Sequence, residues 1–215
     1  MIDGLQLTAP AGLRLILARH GQTPSNVAQI IDTLPPGPGL TELGRTQASG
    51  LAERLAEEKV VAVHASRALR AQETAAPLAD LHGVDVQVVE GTHEIYVGDL
   101  EAQGGPEALG VFDAIYERWH LGEHDLAMPG GETAREATAR FLDGARNAIE
   151  GVDTGTVVMV SHGAMLRIAA RTLVDTVPGE EANAKHLPNT GLIVLESTPD
   201  TRTGWTCHTW DGITP

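Results

Sequence analysis

The sequence predicts an α/β fold, a three-layer αβα sandwich on a mostly parallel central sheet, with an antiparallel C-terminal hairpin and a small helical insertion. Three observations predict it. Short apolar runs recur at 13–18, 60–65, 84–89, 156–160 and 191–196, and an apolar run without polar alternation is what a strand covered on both faces requires. Amphipathic stretches separate the runs, the alternation that yields parallel strands joined by crossover helices. The end of the chain differs: 191–196, a polar turn through Pro199 to Gly204, and Trp205–Trp210 read as a hairpin whose second arm is an edge strand near 204–210. A length of 215 residues suits one domain, taken as 1–215 with an insertion at about 98–131.

The first run stops at Arg19-His20-Gly21, and Pro24 suits the first position of a helix with Thr23 as its N-cap. Thr33–Gly39 is a rigid loop of proline and glycine. Over 42–57, Leu43, Ala48, Leu51, Ala52 and Leu55 share one helical face behind Thr41 as cap. The run 60–65 ends at Ser66, placed to cap the next helix, with Arg70 about one turn inside it. Gly98–Gly131 holds one amphipathic helix, with Ala108, Phe112, Ile115, Tyr116 and Trp119 at helical spacing. It is expected over the sheet edge as a partial lid, its aromatics packing rather than meeting substrate. Ala134, Ala137, Phe141, Ala145 and Ala148 stripe the helix of 132–150, which stops at Gly151. The run 156–160 then ends at Ser161-His162-Gly163, and 164–173 is helical in character.

Composition narrows the classes of partner. Hydrophobic residues make up 42% and charged ones 20%, an ordinary globular balance, and no apolar run approaches the roughly 20 residues of a membrane span. The formal net charge of −14 makes nucleic acid and anionic membranes poor partners. The start lacks the pattern of a secretory signal, and Cys207 is the single cysteine, so a reducing, cytoplasmic setting is expected. His120 and His124 have the spacing of zinc ligands on a helix, but Gly122 lies between them and no third ligand is in view. They are expected to be solvent-exposed, and no metal or other cofactor is expected.

In an open α/β sheet, ligands sit outside the carboxyl ends of the strands. Three strand ends deliver two histidines, His20 and His162, and two arginines, Arg19 and Arg70, to that rim. Each histidine also stands where a helix begins, so free N–H groups and the positive dipole end face the same place. Gly21 is expected to let the backbone approach a ligand. Arg19 offers a planar fork for two phosphate oxygens and Asn26 another donor. Such a cationic rim around an imidazole suits phosphoryl chemistry, because phosphoryl transfer asks mainly for positioning and charge stabilisation.

Taken in order, Arg19-His20-Gly21 with Thr23 and Asn26, Leu40-Thr41-Glu42-Leu43-Gly44, Arg70-Ala71 with Thr74-Ala75, Glu94, and Ser161-His162-Gly163 resemble the motifs of the histidine phosphatase superfamily, and within it the phosphoglycerate mutase-like branch. The match runs from about residue 13 to Asn189. The resemblance implies that His20 attacks phosphorus and carries it as phosphohistidine. It implies that Arg19, Arg70 and His162 hold the non-bridging oxygens with Asn26 and Gly163 assisting. Glu94 would protonate the leaving oxygen and then activate water. There are departures: Ala65-Ser66-Arg67-Ala68 stands where many relatives have Ser-Ser-Pro-Leu, His93 stands where many have arginine, and Gly98-Asp99-Leu100-Glu101-Ala102 replaces a Gly-Asp-Trp-Glu-Gly segment. Arg67 becomes a spare cation facing solvent or substrate, and Glu132 in Gly130-Gly131-Glu132-Thr133 is either a substrate contact or a turn residue.

The function expected is metal-independent hydrolysis of a small phosphorylated metabolite. A cofactor-dependent phosphoglycerate mutase is the near alternative, and a non-catalytic phosphate- or phosphoprotein-binding module the more distant one. Between the acid and the second histidine only Arg118 and Arg135 precede Arg140, with no lysine, few cations for a bisphosphate with a carboxylate. The presence of both His20 and Glu94 argues against a mere binding module. Oligomeric state stays open between monomer and homodimer.

Overall fold

The computed structural model describes residues 2–213. Six strands form one sheet: β1 (Arg14–Arg19), β2 (Val60–Ala65), β3 (Val86–Val88), β4 (Thr156–Ser161), β5 (Leu192–Ser197) and β6 (Trp205–Trp210). Their order is β3-β2-β4-β1-β5-β6. The first four in that order run parallel, while β5 is antiparallel to β1 and β6 to β5. The third strand is shorter than the apolar run at 84–89 implies, because Gln87 and Val88 lie exposed at the sheet edge.

The helices are α1 (Pro24–Ala28), α2 (Glu42–Arg54), α3 (Leu69–His82), α4 (Gly105–His120), α5 (Ala134–Ile149), α6 (Gly163–Leu173) and α7 (Gly179–Ala184). Strand residues alternate between two cores, which is why the runs are apolar throughout. Leu15, Leu17, Val157 and Met159 pack with α4, α5 and α6. Ile16, Ala18, Val158 and Val160 pack with α2 and α3 on the opposite face.

The caps explain where the helices start. Thr23 and Asn26 form a reciprocal capping box around Pro24 at the head of α1, Thr41 caps α2 through Gly44 N–H, and Thr133 with Glu136 forms a second box on α5. Ser66, in contrast, does not cap α3: the N-cap is Ala68, without a side-chain bond. The insertion's helix α4 lies beside α6 and α7, tied by the Tyr116 hydroxyl donating to Ala164 O at 2.8 Å. Tyr116 and Trp119 are buried, as packing aromatics are, but Phe112 faces the cavity described next.

Gly21 has a different task from the one expected. A Cβ there would sit 2.6 Å from Gly44 O, and one on Gly44 would sit 2.2 Å from Gln22 O. The two glycines let the loop after β1 cross the head of α2, so the close approach is to backbone, not to a ligand.

Candidate active site

Strands β1 and β4 are adjacent and parallel, with Arg19 opposite Ser161. The residues that follow, His20 and His162, therefore emerge side by side, and their ring centroids lie 5.2 Å apart. They open onto a cavity of about 220 Å³, whose walls also include Arg19, Asn26, Arg70, Glu94 and Gly163. Residues from four separate stretches of chain thus share one concavity beyond the carboxyl ends of the strands.

His20 is buried, and its Nδ1 lies 2.7 Å from Gly21 O. A carbonyl only accepts, so Nδ1 carries the proton and Nε2 is the lone-pair nitrogen. Burial, and then Arg70 and Arg19, hold the imidazole well below its ordinary range, in the neutral form.

His162 is the N-cap residue of α6, and its Nε2 lies 2.7 Å from Ser66 Oγ. That oxygen also accepts from Ala68 N–H at 3.3 Å; when its own hydroxyl proton is given to Nε2, the ring proton lies on Nδ1. Nδ1 is buried without a hydrogen-bond partner among the described residues. Burial first, then Arg70 and His20, keep this ring neutral too. Ser66 is therefore a positioning residue rather than a helix cap.

Both arginines are half committed. Arg19 donates from Nη1 to Leu187 O at 2.6 Å and leaves Nε buried and unpartnered. Gly163 makes room for it, since a Cβ there would lie 3.1 Å from that Nε. Arg70, 2% exposed, donates from Nη2 to Asp32 O at 3.0 Å and leaves Nη1 unpartnered, 3.8 Å from Asp32 Oδ1. Buried donors without acceptors are costly and uncommon. Here two of them, with Nδ1 of His162, belong to residues of one cavity wall. Burial lowers both guanidinium pKa values, offset by Glu94 for Arg19 and by Asp32 and Glu94 for Arg70.

Glu94 lies against the start of α6. Its carboxylate accepts from Ile95 N at 2.9 Å, Ala164 N at 3.2 Å and Met165 N at 2.8 Å. Arg140 pins the loop behind it, donating to Gly91 O, His93 O and Glu94 O, and pairs with Glu132. Glu132 thereby serves the loop. Asn26 Oδ1 accepts from Thr23 N and from Asn189 Nδ2, both at 3.2 Å, which leaves the Asn26 amide hydrogens for the cavity. Arg67 pairs with Glu90 at the surface.

Sequence reasoning missed Ser66 as the partner of His162, Arg140, Asn189 and Arg167. Arg167 was legible: it is the charged residue in the otherwise apolar stretch Met165-Leu166-Arg167-Ile168-Ala169. It is buried, lines the cavity and covers the Tyr116 ring at 4.7 Å. His120 corrects the expectation of exposure, being packed edge-on against Tyr116 at 4.7 Å. Its pKa falls to about 3, by burial and then by Arg167 and Arg171. Among the described residues no cluster of three or more histidine, cysteine or acidic side chains is arranged for a metal, and no helix is long and apolar enough to cross a membrane.

A strand-end pair of neutral imidazoles flanked by buried guanidiniums defines a class, and comparison agrees. The family model of the histidine phosphatase superfamily (branch 1) matches residues 15–211. This chain belongs to that superfamily. It is 34% identical over 210 residues to a PE-PGRS family protein of Mycobacterium tuberculosis, covering 91% of this chain but only 36% of that protein. The chain thus spans well under two thirds of the mycobacterial relatives it matches. It is 32% identical over 156 residues to a metal-independent phosphoserine phosphatase of Arabidopsis thaliana, covering 71% of this chain and 65% of that one. Among solved structures, a mycobacterial glucosyl-3-phosphoglycerate phosphatase in complex with VO3 superposes with a TM-score of 0.76 at 26% identity, covering 93% of this chain and 99% of the other.

Proposed function

We propose that this chain hydrolyses a small phosphomonoester without a metal, through a phosphoryl group carried on His20. The observation that carries the reading is the held tautomer of His20: Nδ1 bonded to Gly21 O at 2.7 Å and Nε2 left as a neutral lone pair beside His162. The buried guanidiniums of Arg19 and Arg70, His162 Nδ1–H and the Asn26 amide are the donors for a PO3 group. They supply fixed positive charge and directed hydrogen bonds as charge develops.

In the first half, Nε2 of His20 attacks phosphorus, the P–N bond forms, and the ester P–O bond breaks opposite it. Glu94 gives its proton to the departing oxygen. In the second, water attacks phosphorus, its proton passes to Glu94, and the P–N bond breaks to release phosphate and restore the imidazole. Splitting one displacement into two lets one carboxyl act as acid and then base. The three N–H bonds to Glu94 and the Arg140 clamp behind its loop fix where that carboxyl stands.

Hydrolysis rather than transfer back to substrate is supported by the state of the cations between the acid and the second histidine. Arg118 is paired with Glu123, Arg135 with Asp125 and Arg140 with Glu132, so none stands ready for the second anionic group of a bisphosphate. A cytoplasmic location belongs to the same reading and rests on the lone Cys207.

Phosphate release from an aryl phosphate in the presence of a chelator tests the proposal. Turnover should persist with chelator and fall by roughly three orders of magnitude or more in His20→Ala. Isomerisation of 3-phosphoglycerate without net phosphate release would establish the mutase instead. Phosphate binding without any turnover would establish the binding module.

A further inference from the structure

Resting on the phosphatase reading above, we infer that the ester taken by this site has an uncharged, apolar leaving alcohol. Beyond the phosphate cradle the cavity is walled by Ile30, Ile31, Leu109, Phe112 and Leu187. Ile30 keeps 42% of its surface exposed at that wall, a cost in water that an apolar ligand relieves. The wall is preformed. Phe112 stacks on Tyr116 at 5.5 Å and 14°, and Tyr116 is anchored by its hydroxyl to Ala164 O. Arg167 backs the Tyr116 ring.

Charge beyond the cradle disfavours an anion. Asp113, on the same turn of α4 as Phe112, presents an exposed carboxylate to the cavity. The other carboxylate there, Asp32, already faces Arg70 and accepts from the Ser25 hydroxyl at 2.8 Å. The nearby cation, Arg167, is 3% exposed and spends Nε on Gly163 O and Nη1 on Ala182 O and Asn183 O, which leaves Nη2 alone for a ligand. A hydroxy acid or sugar acid as leaving group would meet Asp113 on entry, whereas an alkyl or ring-bearing alcohol would meet side chains of its own polarity.

The test is kcat/KM for the unbranched alkyl phosphates from methyl to hexyl, beside 3-phosphoglycerate and O-phosphoserine. Across the alkyl series the leaving oxygen is nearly constant in basicity, so the slope reads burial. Each methylene that enters the wall should raise kcat/KM by up to about fourfold, and both carboxylated esters should fall below the butyl ester. Phe112→Ala should flatten the slope and Phe112→Leu should retain most of it, with thermal midpoints confirming that both variants fold. A flat wild-type series, or preference for a carboxylated ester that is lost on Arg167→Gln, overturns the inference while leaving the phosphatase reading intact. Failure to hydrolyse any of these esters while the aryl phosphate is turned over overturns the inference alone, and failure on the aryl phosphate as well overturns both.

Discussion

The orientation of the His162 ring is held by Ser66. Its hydroxyl lies 2.7 Å from Nε2 and itself accepts from Ala68 N–H. Ser66→Ala frees the ring to turn or to change tautomer and should lower kcat by roughly tenfold or more. The fold should survive, and Ser66→Thr should recover part of the loss. Steady-state kinetics on the three proteins checks this. The buried histidines also set the response to acid. His20, His64, His120 and His162 all have folded pKa values lowered, chiefly by burial. Below the ordinary imidazole value near 6.5 the unfolded chain binds protons that the folded chain refuses, so stability is full above that pH and drains as pH falls. Each such group costs about 1.4 kcal/mol per pH unit until its folded pKa is reached. Denaturation midpoints should decline steadily from pH 7 to pH 4. A flat profile would mean that these rings titrate normally.

The crossing of the loop after β1 over α2 depends on two residues without side chains. A Cβ on Gly44 would lie 2.2 Å from Gln22 O, a backbone atom that cannot swing aside. Gly44→Ala should therefore destabilise by about 1–3 kcal/mol and shift the loop that carries His20. Gly50, in the same helix, meets nothing within 4 Å. Gly50→Ala should stabilise by about 0.5–1 kcal/mol, the ordinary gain of alanine over glycine in a helix. Chemical denaturation of the pair separates close packing from helix propensity. Here lies the division between what the sequence discloses and what it hides. Strand ends at His20 and His162, the caps at Thr23 and Thr41, and the hairpin were legible because each is a local pattern of period, cap or turn. Ser66 was misread and Arg140 and Asn189 were passed over because their partners lie far along the chain: Ser66 with His162, Arg140 with the carbonyls of Gly91, His93 and Glu94, and Asn189 with His20 O and Asn26. The place of α4 beside α6 and α7 likewise follows from tertiary packing that periodicity does not encode.

The formal net charge is −14, yet the cavity gathers Arg19, Arg70 and Arg167 among its walls. The general field repels a phosphomonoester that the local one attracts. Because salt screens the long-range field more than a buried cradle, kcat/KM should rise as ionic strength goes from about 0.01 M to 0.15 M. A fall would mean that attraction by the cradle dominates at long range as well. The sheet order makes the cradle possible, since placing β4 between β2 and β1 sets Ser66, His162 and His20 at neighbouring strand ends. The account stands on one claim about that convergence, that phosphorus is passed to Nε2 of His20. Rapid quenching of the turning-over enzyme into base, where phosphohistidine survives and acyl phosphates do not, followed by peptide mass analysis, tests it most directly. The account predicts a phosphoryl group on the peptide that contains His20, formed and lost at rates no slower than kcat and absent in His20→Ala. Turnover at full rate with no labelled peptide, or with the label on another residue, would contradict it.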